Sequence, residues 1–364
     1  MNKNTRISVS QLVCLLLVSR MTSAFTASPA SGIAAGGSGL LLSALLQAPL
    51  LLLLFLPTWW FGRRTNRAGT LDYAYVLFGK KGGGVLAVLY GLLCLLVITG
   101  DLLRFQTFVS VALSPDLSRV ALAALLTLCV FFAASCGFQA IARAAGVAAV
   151  VMTLLLVFVA LTLLPEMEAI HFLSPFYEGT ESVVRGALME LPRCLEVTVI
   201  GLLLPYVNGN AHKGYAVWTG ALSALLIVMQ ATVTGVLGDF ADEVRFPFYA
   251  AVTAADVGFL QRMDIVALAV WMVALFVKMA FYGTLYMSAA QRLFGDKHKP
   301  LLGWAGGLAV LAVGLLLAGP VAKTQPEVAA PVFVLLAAVF AVAVPLILIA
   351  ADVLQEKRRR RVQA

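Results

Sequence analysis

The stretch of the chain with the clearest capacity for chemistry is Val183–Asn208, VVRGALMELPRCLEVTVIGLLLPYVN, which is long and apolar enough to cross a bilayer. It nevertheless contains charged residues and a central proline: Arg185, Glu190, Arg193, Glu196 and Pro192. Charged groups inside a membrane helix are costly and by default mark function, and proline favours a break because it has no N–H to donate. The stretch therefore predicts a broken helix that builds a substrate site at mid-membrane depth. The alternative is a kinked helix in which Arg193 and Glu196 pair one turn apart.

A second stretch, SRMTSAFTASPASG, starts at Ser19 and contains Arg20 among small polar residues. Such residues specify a helix weakly and offer hydroxyls and free backbone groups. They favour a break inside the membrane, although a helix end that runs into the loop before Leu40 has the same composition.

The two stretches together predict a ligand site between two broken helices. Its predicted ligand-binding residues are Thr22, Ser23 and Thr26 from the first stretch and Arg193, Glu196 and Thr198 from the second. A helix break frees N–H groups whose positive end suits a carboxylate, while Glu196 could hold an ammonium group or a proton. In the alternative interpretation the hydroxyls only cap the broken ends, and Glu196 pairs with Arg20 or Arg193 for stability.

Three further charged residues are predicted to act in ion binding or gating: Arg20, Glu190 and Lys278. Glu190 could line the entrance to the site or lie in a solvated vestibule. Lys278 could face the bundle interior as a fixed charge that replaces a bound cation, or it could snorkel toward the cytoplasmic interface. Another charged pair, Asp101 and Arg104, is predicted to form an interfacial salt bridge.

The composition identifies the class of protein that carries these residues. The chain of 364 residues is 61% hydrophobic and 12% charged, with a mean hydropathy of +0.96, which predicts a polytopic membrane protein. It has no nucleotide loop or nucleophile elbow, so we expect no enzyme and no cofactor. The histidines are scattered and the cysteines fall in apolar spans, so no metal site is expected. Basic cytoplasmic loops explain the net charge of +8, so nucleic acid is not an expected partner.

The apolar runs predict a single transmembrane domain, 1–364, with ten membrane-spanning helices. They lie at about 7–25, 40–57, 85–103, 120–135, 145–164, 183–208, 215–237, 265–285, 301–318 and 330–350. The segment 247–260 could form a short interfacial helix, a basic loop is expected over 63–81, and 351–364 is a basic tail.

The distribution of Lys and Arg predicts the topology. Most of the 26 basic residues fall on one side when both termini are cytoplasmic, as the positive-inside rule requires. Ten spans divide into two halves of five, and an odd number in each half forces the second half to run inverted. Spans one and six then correspond, which predicts an all-α LeuT-type 5+5 inverted repeat with broken helices 1 and 6.

Several stretches resemble the spore-germination permease family, the B-type membrane subunit of nutrient germinant receptors. They are ISVSQLVCLLLVSRMTSAFTASP near the N-terminus, EVTVIGLLLPYVNG in span six, and LGDFADEVRFPFYAAVTAADVGFLQRMDIVALAVWMVALFVKMAFY. In the last stretch a Phe-Pro pair, a Gln-Arg-Met-Asp entry, a Trp and a Phe-x-Lys recur at the family's spacing. The resemblance runs from about Ile7 to Phe294, and Ala30–Gly39, which is almost all small residues, departs from it.

The resemblance implies the fold of the amino acid–polyamine–organocation transporter superfamily, and it singles out Glu196 as a family position. It also implies a receptor in the inner membrane of the spore that senses a small nutrient ligand (an amino acid, sugar or nucleoside). Its expected partners are A- and C-type receptor subunits and the lipid bilayer. The alternatives are an ion-coupled secondary transporter of amino acids or related solutes, and a structural membrane subunit without a ligand of its own.

Overall fold

The computed structural model describes residues 6–27, 39–112, 118–173, 179–191, 193–254, 263–323 and 330–363. Most of these residues are helical. The helices are α1 (Val9–Phe25), α2 (Gly39–Arg64), α3 (Thr70–Ala112), α4 (Arg119–Ser135), α5 (Phe138–Thr162), α6 (Thr180–Glu190), α7 (Glu196–Leu203), α8 (Ala211–Leu237), α9 (Pro247–Ala254), α10 (Met263–Phe294), α11 (Lys299–Lys323), α12 (Ala330–Ala337) and α13 (Val344–Gln363). A π-helical segment, Ala338–Ala343, joins α12 to α13.

Seven helices in the described part of the chain are long and apolar enough to cross a membrane. They are Leu41–Arg64, Thr70–Ser110, Phe138–Thr162, Ala211–Asp242, Met263–Phe294, Leu301–Ala318 and Val332–Arg358. Three shorter apolar helices, Val9–Phe25, Arg119–Ser135 and Glu196–Tyr206, coincide with the other predicted spans. A helix satisfies its own backbone groups, which hydrocarbon requires. The protein is an integral, multi-pass membrane protein.

Helix α1 begins with a capping box, in which the Ser8 side chain accepts from the Gln11 backbone and the Gln11 side chain accepts from the Ser8 backbone. It then runs without interruption to Phe25 and ends at Thr26. The predicted break does not fall within Val9–Phe25, because Thr22 remains helical and returns its hydroxyl hydrogen to the carbonyl of Val18, 2.5 Å away. Residues 28–38 lie outside the described part.

The predicted sixth span, 183–208, is divided. Helix α6 ends at Glu190 and α7 begins at Glu196, so the regular helix is interrupted across the charged segment. Pro192 itself lies outside the described residues. After α7, a 3₁₀ turn (Leu204–Tyr206) leads into a two-residue strand, β2 (Val207–Asn208), which pairs in parallel with β1 (Ile7–Ser8) just before α1. This strand pair ties the start of α1 to the end of α7.

The predicted basic loop over 63–81 is wrong, because α3 already begins at Thr70. A kink at Gly79, with φ of +67°, divides a short first segment from the apolar remainder of α3. Glycine adopts this left-handed conformation without a steric penalty. The kink lets a helical segment with charged residues lead into the membrane-spanning part.

Two other predicted segments are helical where the structure describes them. The interfacial helix proposed at 247–260 is α9, Pro247–Ala254, and the residues after it up to 262 are not described. The basic segment 351–364 continues as helix α13 as far as Gln363. This helix is held at the corner between α2 and α3 by two contacts of Asp352. Arg64 Nε lies 2.5 Å from its Oδ2, and the hydroxyl of Tyr73 donates to its Oδ1 at a distance of 2.5 Å.

The centre of the bundle is formed by α1 and α10. Helix α1 packs against α5, α8 and α10, while α10 packs against α3, α4 and α5. The side chain of Trp271 on α10 is buried, and its Nε1–H donates to the carbonyl oxygen of Thr22 at an N···O distance of 2.9 Å. This bond satisfies one of the carbonyls that the end of a helix leaves without an intrahelical donor, and it fixes the end of α1 against α10.

Candidate functional site

Glu196 is the first residue of α7 and is almost completely buried, with 2% of its surface exposed. One carboxylate oxygen accepts a hydrogen bond of 2.6 Å from the hydroxyl of Ser19 on α1. The other oxygen, Oε2, is buried and has no hydrogen-bond partner among the described residues. A buried carboxylate is costly unless each of its acceptors is satisfied, so Glu196 can accept a further hydrogen bond from a donor group.

The guanidinium of Arg20, buried on α1, forms a salt bridge with Oε2 of Glu190 at the end of α6. The other oxygen of Glu190 lies 2.6 Å from Nη1 of Arg193. One carboxylate therefore serves two guanidinium groups. The alternative interpretation, in which Arg193 pairs with Glu196 on a continuous helix, is wrong, because the helix is interrupted between Glu190 and Glu196 and Arg193 pairs with Glu190.

Lys278 lies in the interior and not at the interface, with 5% of its surface exposed. Its ammonium nitrogen lies 2.6 Å from the hydroxyl oxygen of Ser23 and 3.0 Å from Oδ1 of Asp101. The alternative that Lys278 snorkels to the cytoplasmic interface is wrong. The predicted salt bridge between Asp101 and Arg104 is present, but Asp101 is 3% exposed and therefore does not lie at the interface. The close packing of α10 on α3 buries both charges, and each compensates the other.

Asp101 is also shared between two cations. Its Oδ1 lies 3.2 Å from Nη1 of Arg104, one helical turn further along α3. Arg104 interacts electrostatically with Arg20, Arg193 and Glu196 as well, so the charged groups of α1, α3, α7 and α10 form one cluster. We call the seven charged residues concerned the charge cluster: Arg20, Asp101, Arg104, Glu190, Arg193, Glu196 and Lys278.

The structure brings six of the predicted site residues together in or beside this cluster: Arg20, Ser23, Glu190, Arg193, Glu196 and Lys278. Three other predicted residues have their hydroxyls engaged elsewhere. Thr22, Thr26 and Thr198 donate to the backbone carbonyls of Val18, Thr22 and Leu195. Their hydroxyl hydrogens support the helices and are not directed to the charge cluster.

Four residues of the site escaped prediction as ligand-site residues: Ser19, Asp101, Arg104 and Tyr282. The side chain of Tyr282 on α10 is fully buried and interacts with Ser19, Glu196 and Asp101. Asp101 and Arg104 could have been found, because two charged residues near the end of an apolar span are a functional signal by default. Ser19 and Tyr282 carried no such signal.

Parts of the charge cluster are accessible from outside the protein. The side chains of Arg104, Glu190 and Arg193 are 31%, 24% and 22% exposed. Charged side chains do not face hydrocarbon but face protein or a water-filled cavity. The exposed surfaces of these three residues are therefore expected to face water, whereas Glu196 itself is buried.

Metal ligands form no comparable group. Across the described ranges, no three or more His, Cys, Asp or Glu side chains come together in a way that could hold a metal ion. The chemistry available at the site is charge pairing and hydrogen bonding, which suits binding and conformational change.

Comparison with known proteins adds two findings. A family model described as "Spore germination protein" matches residues 6–318, while no curated protein matches the chain. Among solved structures, the substrate-bound outward-open state of a Na⁺-coupled sialic acid symporter aligns with a TM-score of 0.61 and 12% sequence identity. The alignment covers 93% of this chain and 79% of that chain. At this identity the likeness concerns the fold alone.

Proposed function

The chain belongs to the spore germination protein family, and on that premise we propose that it is the integral-membrane subunit of a nutrient germinant receptor. It binds a small nutrient (an amino acid, sugar or nucleoside) at the charge cluster between α1 and the interruption that separates α6 from α7. Binding changes the conformation of the protein and triggers germination together with A- and C-type receptor subunits in the inner membrane of the spore.

One observation carries the proposal: Glu196 is buried where the helix restarts, with one oxygen bound by Ser19 and the other without a hydrogen-bond partner among the described residues. A buried acceptor left unsatisfied costs free energy, so a ligand that donates to this oxygen would be bound favourably. A ligand that donates to Oε2 in one conformation of the protein, but not in another, would favour the conformation that it binds. A receptor requires this difference in affinity.

The proposed architecture is the ten-helix LeuT-type 5+5 inverted repeat in a single domain, with both termini cytoplasmic. It is supported by the similarity in fold to the symporter and by the division of the sixth span into α6 and α7.

We predict that Glu196→Gln raises the nutrient concentration for half-maximal germination by about 10- to 100-fold, since a hydrogen bond to a charged group contributes about 1.5–3 kcal/mol. The amide keeps the size of the side chain but loses the charge. The measurement is the fall in optical density of variant spores against nutrient concentration, with the amount of protein in the membrane followed by immunoblotting.

Glu181→Gln is the matched control, because Glu181 is exposed and paired only with Arg185 four residues away. It should germinate as the unaltered spores do. Normal nutrient sensitivity of Glu196→Gln spores that contain normal amounts of protein would remove Glu196 from the mechanism. The nutrient itself is found by comparing a deletion strain with its parent across a panel of nutrients.

A second function, ion-coupled transport of the same class of solute, is favoured by the buried pair of Lys278 and Asp101, since ionisable pairs inside a membrane protein mark ion pathways. Uptake of labelled solute into proteoliposomes, with and without an H⁺ or Na⁺ gradient, separates the two functions. Gradient-driven accumulation supports the transporter, whereas saturable binding without accumulation supports the receptor.

A further inference from the structure

We propose that the ligand of the charge cluster is an acidic amino acid, with one ammonium group, two carboxylates and a net charge of −1. The inference rests on the proposed function, because it names the substrate of the same site. It comes from how the charges of the cluster are distributed among their partners.

The first step is the formal charge of the cluster. Its four cations are Arg20, Arg104, Arg193 and Lys278, and its three anions are Asp101, Glu190 and Glu196, so within the described part of the chain one positive charge is in excess. A net charge inside the membrane region is costly unless a counter-charge comes close to it. Arg104 and Arg193 are partly exposed, and a bound anion would supply the counter-charge on the buried side of the cluster.

Two carboxylates of the charge cluster are each shared between two cations. Glu190 faces both Arg20 and Arg193, and Asp101 faces both Arg104 and Lys278. Each of these two groups thus has two cations for one carboxylate and lacks one negative charge. Arginine binds carboxylates particularly well, because its planar fork of N–H donors matches the two oxygens.

The third step is Glu196, which has the opposite deficit. No cation lies within salt-bridge distance of its carboxylate among the described residues, and its Oε2 accepts no hydrogen bond there. It therefore lacks one positive charge, which an ammonium group supplies together with the missing donor. Two absent negative charges and one absent positive charge correspond to the groups of an acidic amino acid.

Other nutrient classes leave part of this pattern unpaired. A neutral amino acid brings one carboxylate and leaves one of the two cation groups with its excess charge. A dicarboxylate without an amine leaves Glu196 without its cation. A sugar or nucleoside brings no charge and compensates neither deficit, whereas charged groups that remain unpaired in a buried site oppose binding.

The test is ligand binding to the purified full-length chain in detergent, measured by calorimetry. The probes are L-glutamate and L-aspartate, with L-glutamine and L-asparagine as uncharged controls of the same size and with L-alanine, glutarate, glucose and inosine for the other classes. We expect the acidic amino acids to bind at least about tenfold more tightly than their amides, the size of effect expected for one additional charged hydrogen bond.

Arg104→Gln removes the excess positive charge and leaves the pair of Lys278 and Asp101 in place. It should reduce the preference for L-glutamate over L-glutamine to less than about twofold, while Arg104→Lys, which keeps the charge, should retain most of it. Arg104 is partly exposed, so the variant is expected to fold. Arg185→Gln, an exposed arginine paired only with Glu181, should leave the preference unchanged.

The possible outcomes separate this inference from the proposed function. Equal or tighter binding of a neutral amino acid, glutarate, glucose or inosine overturns the acidic ligand and leaves a nutrient receptor. Absence of binding by every probe also overturns it, and the germination assay of the deletion strain then decides the receptor role by itself. A preference for L-glutamate that persists in Arg104→Gln shows that the excess charge does not select the ligand.

Discussion

Replacing Lys278 with Met is expected to destabilise the protein by about 3–5 kcal/mol, the typical cost of removing one partner from a buried ion pair. The substitution keeps the length of the apolar stem but leaves the carboxylate of Asp101, which is 3% exposed, without its buried cation. The hydroxyl of Ser23 on α1 loses its contact with the ammonium group as well. The measurement is the midpoint of thermal unfolding of the purified protein in detergent, or denaturation by increasing amounts of SDS.

The double variant Lys278→Met with Asp101→Leu provides the internal control, because replacing a whole buried pair with apolar residues is often close to neutral. It should recover most of the stability that the single variant loses. Arg104 then has no partner on α3, but its side chain is partly exposed and can be solvated. If the single variant is as stable as the unaltered protein, or if the double variant is no better than the single one, the contact does not form a buried ion pair.

The second large effect is expected for Trp271→Ala, at about 3–5 kcal/mol for truncation of a buried aromatic side chain. Trp271 is 1% exposed. Its ring lies 4.6 Å from that of Phe108 and 6.4 Å from that of Phe25, measured between centroids. Truncation opens a cavity between α1, α3 and α10 and removes the donor that satisfies the last turn of α1, so both stability and nutrient response should fall.

Trp271→Phe tests the loss of the hydrogen bond to Thr22 separately from the loss of packing. Phenylalanine fills most of the space but cannot donate to the carbonyl of Thr22, which keeps the hydroxyl of Thr26 as a donor, so a cost of about 0.5–1.5 kcal/mol is expected for the lost hydrogen bond. Trp304→Ala, at a half-exposed tryptophan on α11, serves as the control for loss of an aromatic side chain. Equal stability of Trp271→Ala and Trp304→Ala would contradict a role for Trp271 in holding the end of α1.

The class of the protein and the approximate place of most helices were predictable. A membrane span is recognised by the length of its apolar run, even where it has no polar face and no periodic pattern. The same property hides the contacts between helices. A helix that is apolar on every side has no polar face to indicate its orientation, so nothing in the local sequence shows that Lys278 turns toward Asp101 rather than toward the interface.

The charged residues of the site were visible, but their partners were not. Arg193 and Glu196 have the spacing of a helical pair, and the pairing failed because the helix is interrupted between them. Asp101 looked interfacial because its span was predicted to end at residue 103, whereas the helix continues to Ala112. Ser19 and Tyr282 are ordinary residues in apolar helices, and only the packing of α1 against α7 and α10 brings their hydroxyls to the cluster.

The pairing of β1 with β2 has a thermodynamic consequence for the proposed receptor. The chain segment that contains β1 and α1 contacts the segment that contains α7 and β2 at two places. Ser19 binds Glu196 at the charge cluster, and Ile7 pairs with Val207 in the strand pair. A displacement at either contact is therefore transmitted through the same two helices. Suppose that a partner subunit binds residues 6–8 or 207–209 and changes the affinity for the nutrient by a certain factor. By linkage, the nutrient then changes the affinity for that subunit by the same factor. The affinity between subunits, measured with and without nutrient, would then report the coupling free energy between the two ends of this pair of helices.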